Sequence, residues 1–178
     1  STARSGLKMA WPTAAPGEVV LAGDQLVRSL QPEAHFVIAG SGDQLPLVIE
    51  RIAQLRMSSH FHFTGFLKGK DIDKVWSMSS VYVMPSVSEP FGIAPLEAIQ
   101  AGVPVIISKQ SGVAEVMPHA MKVDFWKSEE LAAAICSILK YKSLSRTLAK
   151  NGAEEINRIT WNSAAKKLTQ LYYELKSN

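Results

Sequence analysis

Short runs rich in Val and Ile alternate with stretches whose apolar residues recur at helical spacing, from about residue 17 to residue 123. His35-Phe36-Val37-Ile38-Ala39-Gly40, Phe61-His62-Phe63-Thr64, Val81-Tyr82-Val83-Met84, Val103-Pro104-Val105-Ile106-Ile107 and Met121-Lys122-Val123 read as strands. Helical patterns fall between them over residues 17–30, 44–57, 71–78 and 92–101, with a helical turn at 114–117. A strand that is apolar at consecutive positions is buried on both faces, and strands separated by amphipathic helices pair in parallel. The pattern predicts an α/β domain built on a single doubly wound parallel sheet, Rossmann-like, with right-handed crossovers. From Ser128 onward every pattern is helical (129–141, 144–159 and 162–175), which gives the domain a helical C-terminal tail. Residues 1–16, broken by Gly6, Pro12 and Pro16, suggest only a short strand at 7–11, and residues 1–178 read as one domain.

Composition narrows the function classes. No apolar run reaches the length of a transmembrane segment. The net charge of +3 is mild and its Lys and Arg residues form no stripe with interleaved aromatics, which argues against nucleic acid as a partner. Lys166-Lys167 beside Tyr172-Tyr173 reads as a solvated helix face. The single cysteine, Cys136, lies in a helical pattern and reads as an inert thiol, so the expected compartment is cytoplasmic. His35, His60, His62 and His119 lack metal-ligand spacing, and no metal site is expected. There is no G-x-S-x-G elbow and no G-x-x-x-x-G-K-[ST] loop. Trp11, Trp76, Trp126 and Trp161 read as core residues.

In an open parallel sheet, ligands bind outside the carboxyl ends of the strands. Three loops in that position carry candidate chemistry. Gly40-Ser41-Gly42-Asp43 can face a phosphate through Gly40 and Gly42, although glycines that simply turn the chain would look the same. Ser111 and Gly112 can offer N–H donors to a phosphate, and Glu115 is expected to brace its loop through backbone hydrogen bonds. The third stretch, Ser86 to Ala98, is richer. Glu89 and Glu97 flank Phe91-Gly92-Ile93, whose N–H groups lie ahead of a helix and suit an anion. A carboxylate accepts from two vicinal hydroxyls at once, so the two Glu residues suit sugar and ribose. A solvated Glu97 and a helix-capping Glu89 would fit the same letters. Gly65-Phe66-Leu67 ends a strand, and its backbone can meet a base edge with Phe66 as an apolar wall or as core.

The run Met84-Pro85-Ser86-Val87-Ser88-Glu89-Pro90-Phe91-Gly92-Ile93-Ala94-Pro95-Leu96-Glu97-Ala98 closely resembles the E-x(7)-E signature of the family-four retaining glycosyltransferases, which include glycogen-synthase-like enzymes. Phe36-Val37-Ile38-Ala39-Gly40-Ser41-Gly42, Phe63-Thr64-Gly65-Phe66 and Ala101-Gly102-Val103-Pro104-Val105-Ile106 carry the likeness further, over roughly residues 17 to 160. The resemblance implies the C-terminal half of a GT-B fold, which binds the nucleotide-sugar donor, with the N-terminal acceptor domain as its missing partner. It implies Glu89 at the donor sugar as the catalytic contact and Glu97 at the ribose. Phe91, Gly92 and Ile93 would meet sugar and diphosphate, and Phe66 and Leu67 would lie beside the base. It further implies UDP-, ADP- or GDP-hexose as substrate, retention of anomeric configuration and no cofactor or catalytic metal.

The chain departs from the family pattern at one point. The Arg and Lys that grip the diphosphate ahead of the first helix fall near Trp11 and at Pro16 here, with Arg4 or Lys8 as candidate substitutes. That departure supports a second expectation, a non-catalytic nucleotide-sugar-binding or interaction module. An epimerase on the same fold fits the Glu spacing less well.

Overall fold

The computed structural model describes residues 6–10, 17–86, 92–157 and 161–176. Six strands form one parallel sheet: β1 (Gly6–Ala10), β2 (His35–Ala39), β3 (Phe61–Gly65), β4 (Ser79–Met84), β5 (Val105–Ser108) and β6 (Met121–Val123). Their order is β3-β2-β1-β4-β5-β6. The chain starts at the centre, winds outward to β3, then crosses back to place β4 on the other side of β1. This reversal makes the carboxyl ends of β1 and β4 the topological switch point, where the loops on either side diverge and leave a crevice. The helices are α1 (Gly17–Leu30), α2 (Leu45–Gln54), α3 (Lys70–Met78), α4 (Ala94–Gln100), α5 (Ser128–Lys140), α6 (Lys142–Ile156) and α7 (Trp161–Lys176).

Side-chain alternation along the central strands builds two cores. Val81 and Val83 of β4 and Ile106 of β5 join Val27 of α1, Val48 and Ile52 of α2, and Leu131 and Ile135 of α5. Tyr82 and Met84 of β4 and Val105 and Ile107 of β5 join Trp76 of α3, Ala98 and Ile99 of α4, and Ile156 of α6. With helices on both faces, successive residues of β4 and β5 are all buried, and the apolar runs in the sequence have their cause. α7 presents Tyr172 and Tyr173 to solvent, as a solvated face requires.

Several expectations shift. His35–Ala39 is not buried throughout. Phe36 and Ile38 are buried, whereas His35, Val37 and Ala39 are only half-buried. The helix expected over 44–57 stops at Gln54. The Met57 N–H bonds Ile52 O at 3.0 Å and the Arg56 N–H bonds Ala53 O at 3.0 Å, with Arg56 at φ 56°. That pairing is a Schellman stop in the left-handed region, and a 3-10 turn follows at Ser58–His60. α4 stops in the same way at Gly102 (φ 79°), where the Val103 N–H reaches Ala98 O and the Gly102 N–H reaches Ile99 O, both at 2.9 Å. Trp76 is core, edge-on to Tyr82 at 5.2 Å, whereas Trp126 is half exposed and packs edge-on against Phe125. The side chains of Trp11 and Trp161 lie outside the described residues.

Candidate functional site

The three loops singled out in the sequence all emerge at the carboxyl ends of parallel strands, so the fold brings them to one end of the sheet. They differ in what they present.

After β2, Gly40 takes φ 125°, a conformation that a side chain would strain, and its N–H donates to Gly65 O at 2.8 Å. The glycine turns the chain and ties this loop to the end of β3. Gly42 follows, half-buried, without positive φ. The hollow beneath them, shared with Ile38, Gln44, Leu45 and Val48, is only about 20 Å³, room for a water. At the end of β3, Phe66 is 72% exposed with the Lys68 ammonium 5.5 Å from its ring centroid, so it is a surface residue and not a core residue. Leu67 beside it is half-buried.

After β4 comes Ser86, fully buried, whose hydroxyl has no partner among the described residues. Glu89 and Phe91 lie outside the described residues, as do Pro16 and Trp11, where cations were expected, and Arg4. Lys8 is on β1. Description resumes at Gly92, whose φ of 74° calls for glycine, and Ile93, which is 68% exposed. Pro95 sits in the first turn of α4, where its missing N–H costs nothing. The Leu96 and Glu97 N–H groups close onto Ile93 O at 2.9 and 3.1 Å, and among the described residues no acceptor pairs with the Gly92 or Ile93 N–H.

Glu97 stands exposed one turn into α4, with no ion pair or hydrogen bond to its carboxylate among the described residues. It opens onto a groove of about 430 Å³ between α3 and α4, lined by Gly69, Ile72, Asp73, Trp76, Glu97, Gln100 and Ala101. Helix periodicity explains the lining: Glu97, Gln100 and Ala101 share one face of α4, and Ile72, Asp73 and Trp76 share one face of α3. An unpaired carboxylate beside a groove of this size can accept hydroxyl donors from a ligand. Asp73 and Trp76 were absent from the candidates because only the packing of α3 on α4 places them beside Glu97, whereas Gln100, three residues on along the same helix, could have been found from helix periodicity.

After β5, Ser111 is buried, and its N–H and hydroxyl both bond Ser108 O, at 3.2 and 2.8 Å. The expected Ser111 N–H donor is therefore occupied by the turn, whereas Gly112 begins the 3-10 helix Gly112–Glu115. Glu115 is exposed and braces nothing among the described residues. Lys109, a cation in this loop that was not singled out, is engaged by Asp124 at 3.0 Å. Gln110 donates to the same carboxylate at 3.1 Å. The hydrogen bonds from Lys109 and Gln110 hold the Asp124 carboxyl below its ordinary range.

The histidines behave unlike their spacing. β2 and β3 pair with Phe36 opposite Phe61 and Val37 opposite His62, and this register gathers His35, His60 and His62 at the amino ends of those strands. His119 stays apart, 3.9 Å from Glu155. No group of three or more His, Cys, Asp or Glu among the described residues is arranged to hold a metal ion. No helix among the described residues is long and apolar enough to cross a membrane.

Known proteins share this architecture. An uncharacterised glycosyltransferase of Methanocaldococcus jannaschii is 31% identical over 144 residues, covering 78% of this chain and 37% of its own length. The chain thus spans well under half of that relative. The crystallised C-terminal domain of a group 1 glycosyl transferase (LpcC) of Francisella tularensis superimposes with a TM-score of 0.73 at 18% identity, covering 86% of this chain and 84% of that one. Anabaena HepE, solved with UDP-glucose, superimposes with a TM-score of 0.77 at 19% identity, covering 96% of this chain and 49% of that one. Residues 13–155 match the family described as Glycosyl transferases group 1, and the chain belongs to that family.

Proposed function

We propose that this chain is the donor-binding domain of a retaining glycosyltransferase, which transfers a hexose from a nucleoside-diphosphate sugar to an acceptor hydroxyl. The observation that carries this reading is the unpaired carboxylate of Glu97 at the groove between α3 and α4, beside the switch point of the sheet. Glu97 accepts the two ribose hydroxyls. The N–H groups of Gly92 and Ile93, ahead of α4, meet the diphosphate, where the positive end of the peptide dipoles stabilises negative charge. Exposed Phe66 and half-buried Leu67, at the end of β3, flank the base. The roles of Glu89 at the transferred sugar and Phe91 at the diphosphate rest on the resemblance of their motif. UDP-glucose bound to a neighbour of the same fold supports a nucleotide sugar as ligand.

Residues 1–178 form one half of the enzyme, and an N-terminal domain supplies the acceptor site across the cleft. The similar C-terminal domain crystallised by itself supports this division. Transfer in this scheme calls on no metal: the developing diphosphate charge is met by fixed N–H dipoles and by cations brought to the cleft. The single Cys136, half-buried with its thiol pushed up by desolvation, suits a reducing cytoplasm.

Calorimetric titration with UDP-glucose, ADP-glucose and GDP-mannose tests the reading. One of the three is expected to bind saturably, and Glu97→Gln should weaken it by about tenfold, one charge-assisted hydrogen-bond pair. Absence of binding by all three, together with unchanged UDP, ADP and GDP affinities in Glu97→Gln, would overturn it.

A further inference from the structure

The histidines gathered by the β2–β3 register lie at the end of the sheet opposite Glu97 and take no part in the proposed transfer. His35 Nδ1 and His62 Nε2 are 3.0 Å apart. The His35 ring lies between the other two, with its centroid 5.2 Å from those of both His60 and His62, and the interplanar angles are 25° and 28°. The His60 Nδ1 is 3.0 Å from Ala34 O. A carbonyl oxygen can only accept, so Nδ1 carries the hydrogen and the His60 ring is held by the backbone.

We infer that His35 and His62 form a peripheral site for a divalent transition metal such as Zn²⁺, with His60 stacked behind His35 to fix its ring. Two imidazole nitrogens, each about 2.0–2.1 Å from a tetrahedral zinc, lie roughly 3.3 Å from one another. The existing separation of 3.0 Å is within a few tenths of an ångström of that. Neutral imidazole is a preferred ligand of Zn²⁺, Ni²⁺ and Cu²⁺. One hydrogen lies between the two facing nitrogens; as the metal binds, the ring that carries it takes the other tautomer, with its hydrogen on the far nitrogen, so both rings remain neutral and both facing nitrogens offer lone pairs. Access is open, because β3 is the edge strand and His62 is exposed on it. With two protein ligands, water completes the coordination, in keeping with the lack of a three-ligand cage among the described residues. The site is independent of the donor site, which lies at the carboxyl ends of the strands.

Titrating ZnCl₂ into metal-free protein by calorimetry decides the matter. One saturable equivalent is expected. His62→Ala and His35→Ala should each weaken it at least tenfold, while His119→Ala leaves it unchanged. His62 is exposed, so its variant keeps the fold, and a melting curve verifies this. The result holds even if His35→Ala folds poorly, because His62→Gln supplies a second removal of the same ligand. No saturable heat, or the same affinity in His62→Ala and His62→Gln as in the parent, would overturn the inference.

Discussion

Two strand–loop–helix units of this domain share a plan and differ in their setting. In the first, β2 leads through Gly40-Ser41-Gly42 into α2. In the second, β4 leads through Ser86 to Ile93 into α4. β4 lies inside the sheet with helices on both faces, so every residue from Val81 to Met84 is buried. Along β2 only alternate residues are buried. α4 stops on Gly102 and α2 stops on Arg56, both with positive φ. The face that α1 and α2 cover also has a buried acid nearby: Asp24 of α1, fully buried, with neither carboxylate oxygen partnered among the described residues. The unit that carries Glu97 is the better packed of the two. The β4 unit has an unpartnered buried group of its own among the described residues, the Ser86 hydroxyl, so the contrast between the units lies in the apolar burial of their strands.

The largest test of that contrast is in the packing. Ile99→Ala removes a fully buried side chain that Gly152 of α6 touches closely, and it should cost about 2–5 kcal/mol in urea denaturation. Val37→Ala, on the half-buried face of β2, should cost less than about 1.5 kcal/mol by the same measurement. Equal losses would erase the distinction between centre and edge.

Next comes Asp24. Desolvation by burial raises its folded-state pKa well above the ordinary value of 3.8. The folded protein therefore holds this proton more tightly than the unfolded chain does. Stability from this group is fully present below the unfolded pKa and is lost as pH rises from there through the raised folded value. Asp24→Asn, of the same shape, should remove that loss. At pH 8 the variant should be more stable by about 1–3 kcal/mol, converging with the parent in acid, as thermal melts across pH would show. A parent whose stability rises steadily from pH 4 to pH 8 by way of this residue would contradict the assignment.

The smallest effects are at the two helix ends. Gly102→Ala should cost about 1 kcal/mol, because φ of 79° is strained for a side chain and open space around the site does not relieve that. Arg56→Gly should be neutral to stabilising by up to about 1 kcal/mol, since relief of the left-handed strain opposes the greater entropy of an unfolded glycine. Opposite signs in the two variants would establish that the stops are equivalent in geometry and unequal in sequence.

Much of this was legible in the letters. The Val and Ile runs gave strands and the spacing between them gave helices. Gly102 marked the end of α4, and Pro95 was correctly placed in its first turn. The edge of the sheet was harder to read. Arg56 carries no signal for a left-handed stop, so the C-terminal end of α2 was expected three residues too late. Ser111 looked like a donor, yet its N–H and hydroxyl close a turn. Phe66 could have been core until its exposure excluded that. Glu97 was singled out by its motif, and Asp73 became its neighbour only through the packing of α3 on α4.

The sequence by itself determined which segments are strands and which are helices, because periodicity is a local property that a window of ten residues can hold. It also determined the order of chemical groups along the chain, with Glu89 and Glu97 on either side of a glycine. Tertiary structure decided what depends on register and close approach. A Cβ at Gly152 would meet Ile99 Cδ1 at 2.7 Å, so a glycine that reads as a weak helix former is a contact point between α4 and α6. Asp24 became a buried acid, and three histidines spread over 28 positions became one stack. These outcomes rest on pairings between residues far apart in the chain, and such pairings leave no periodic trace in the sequence.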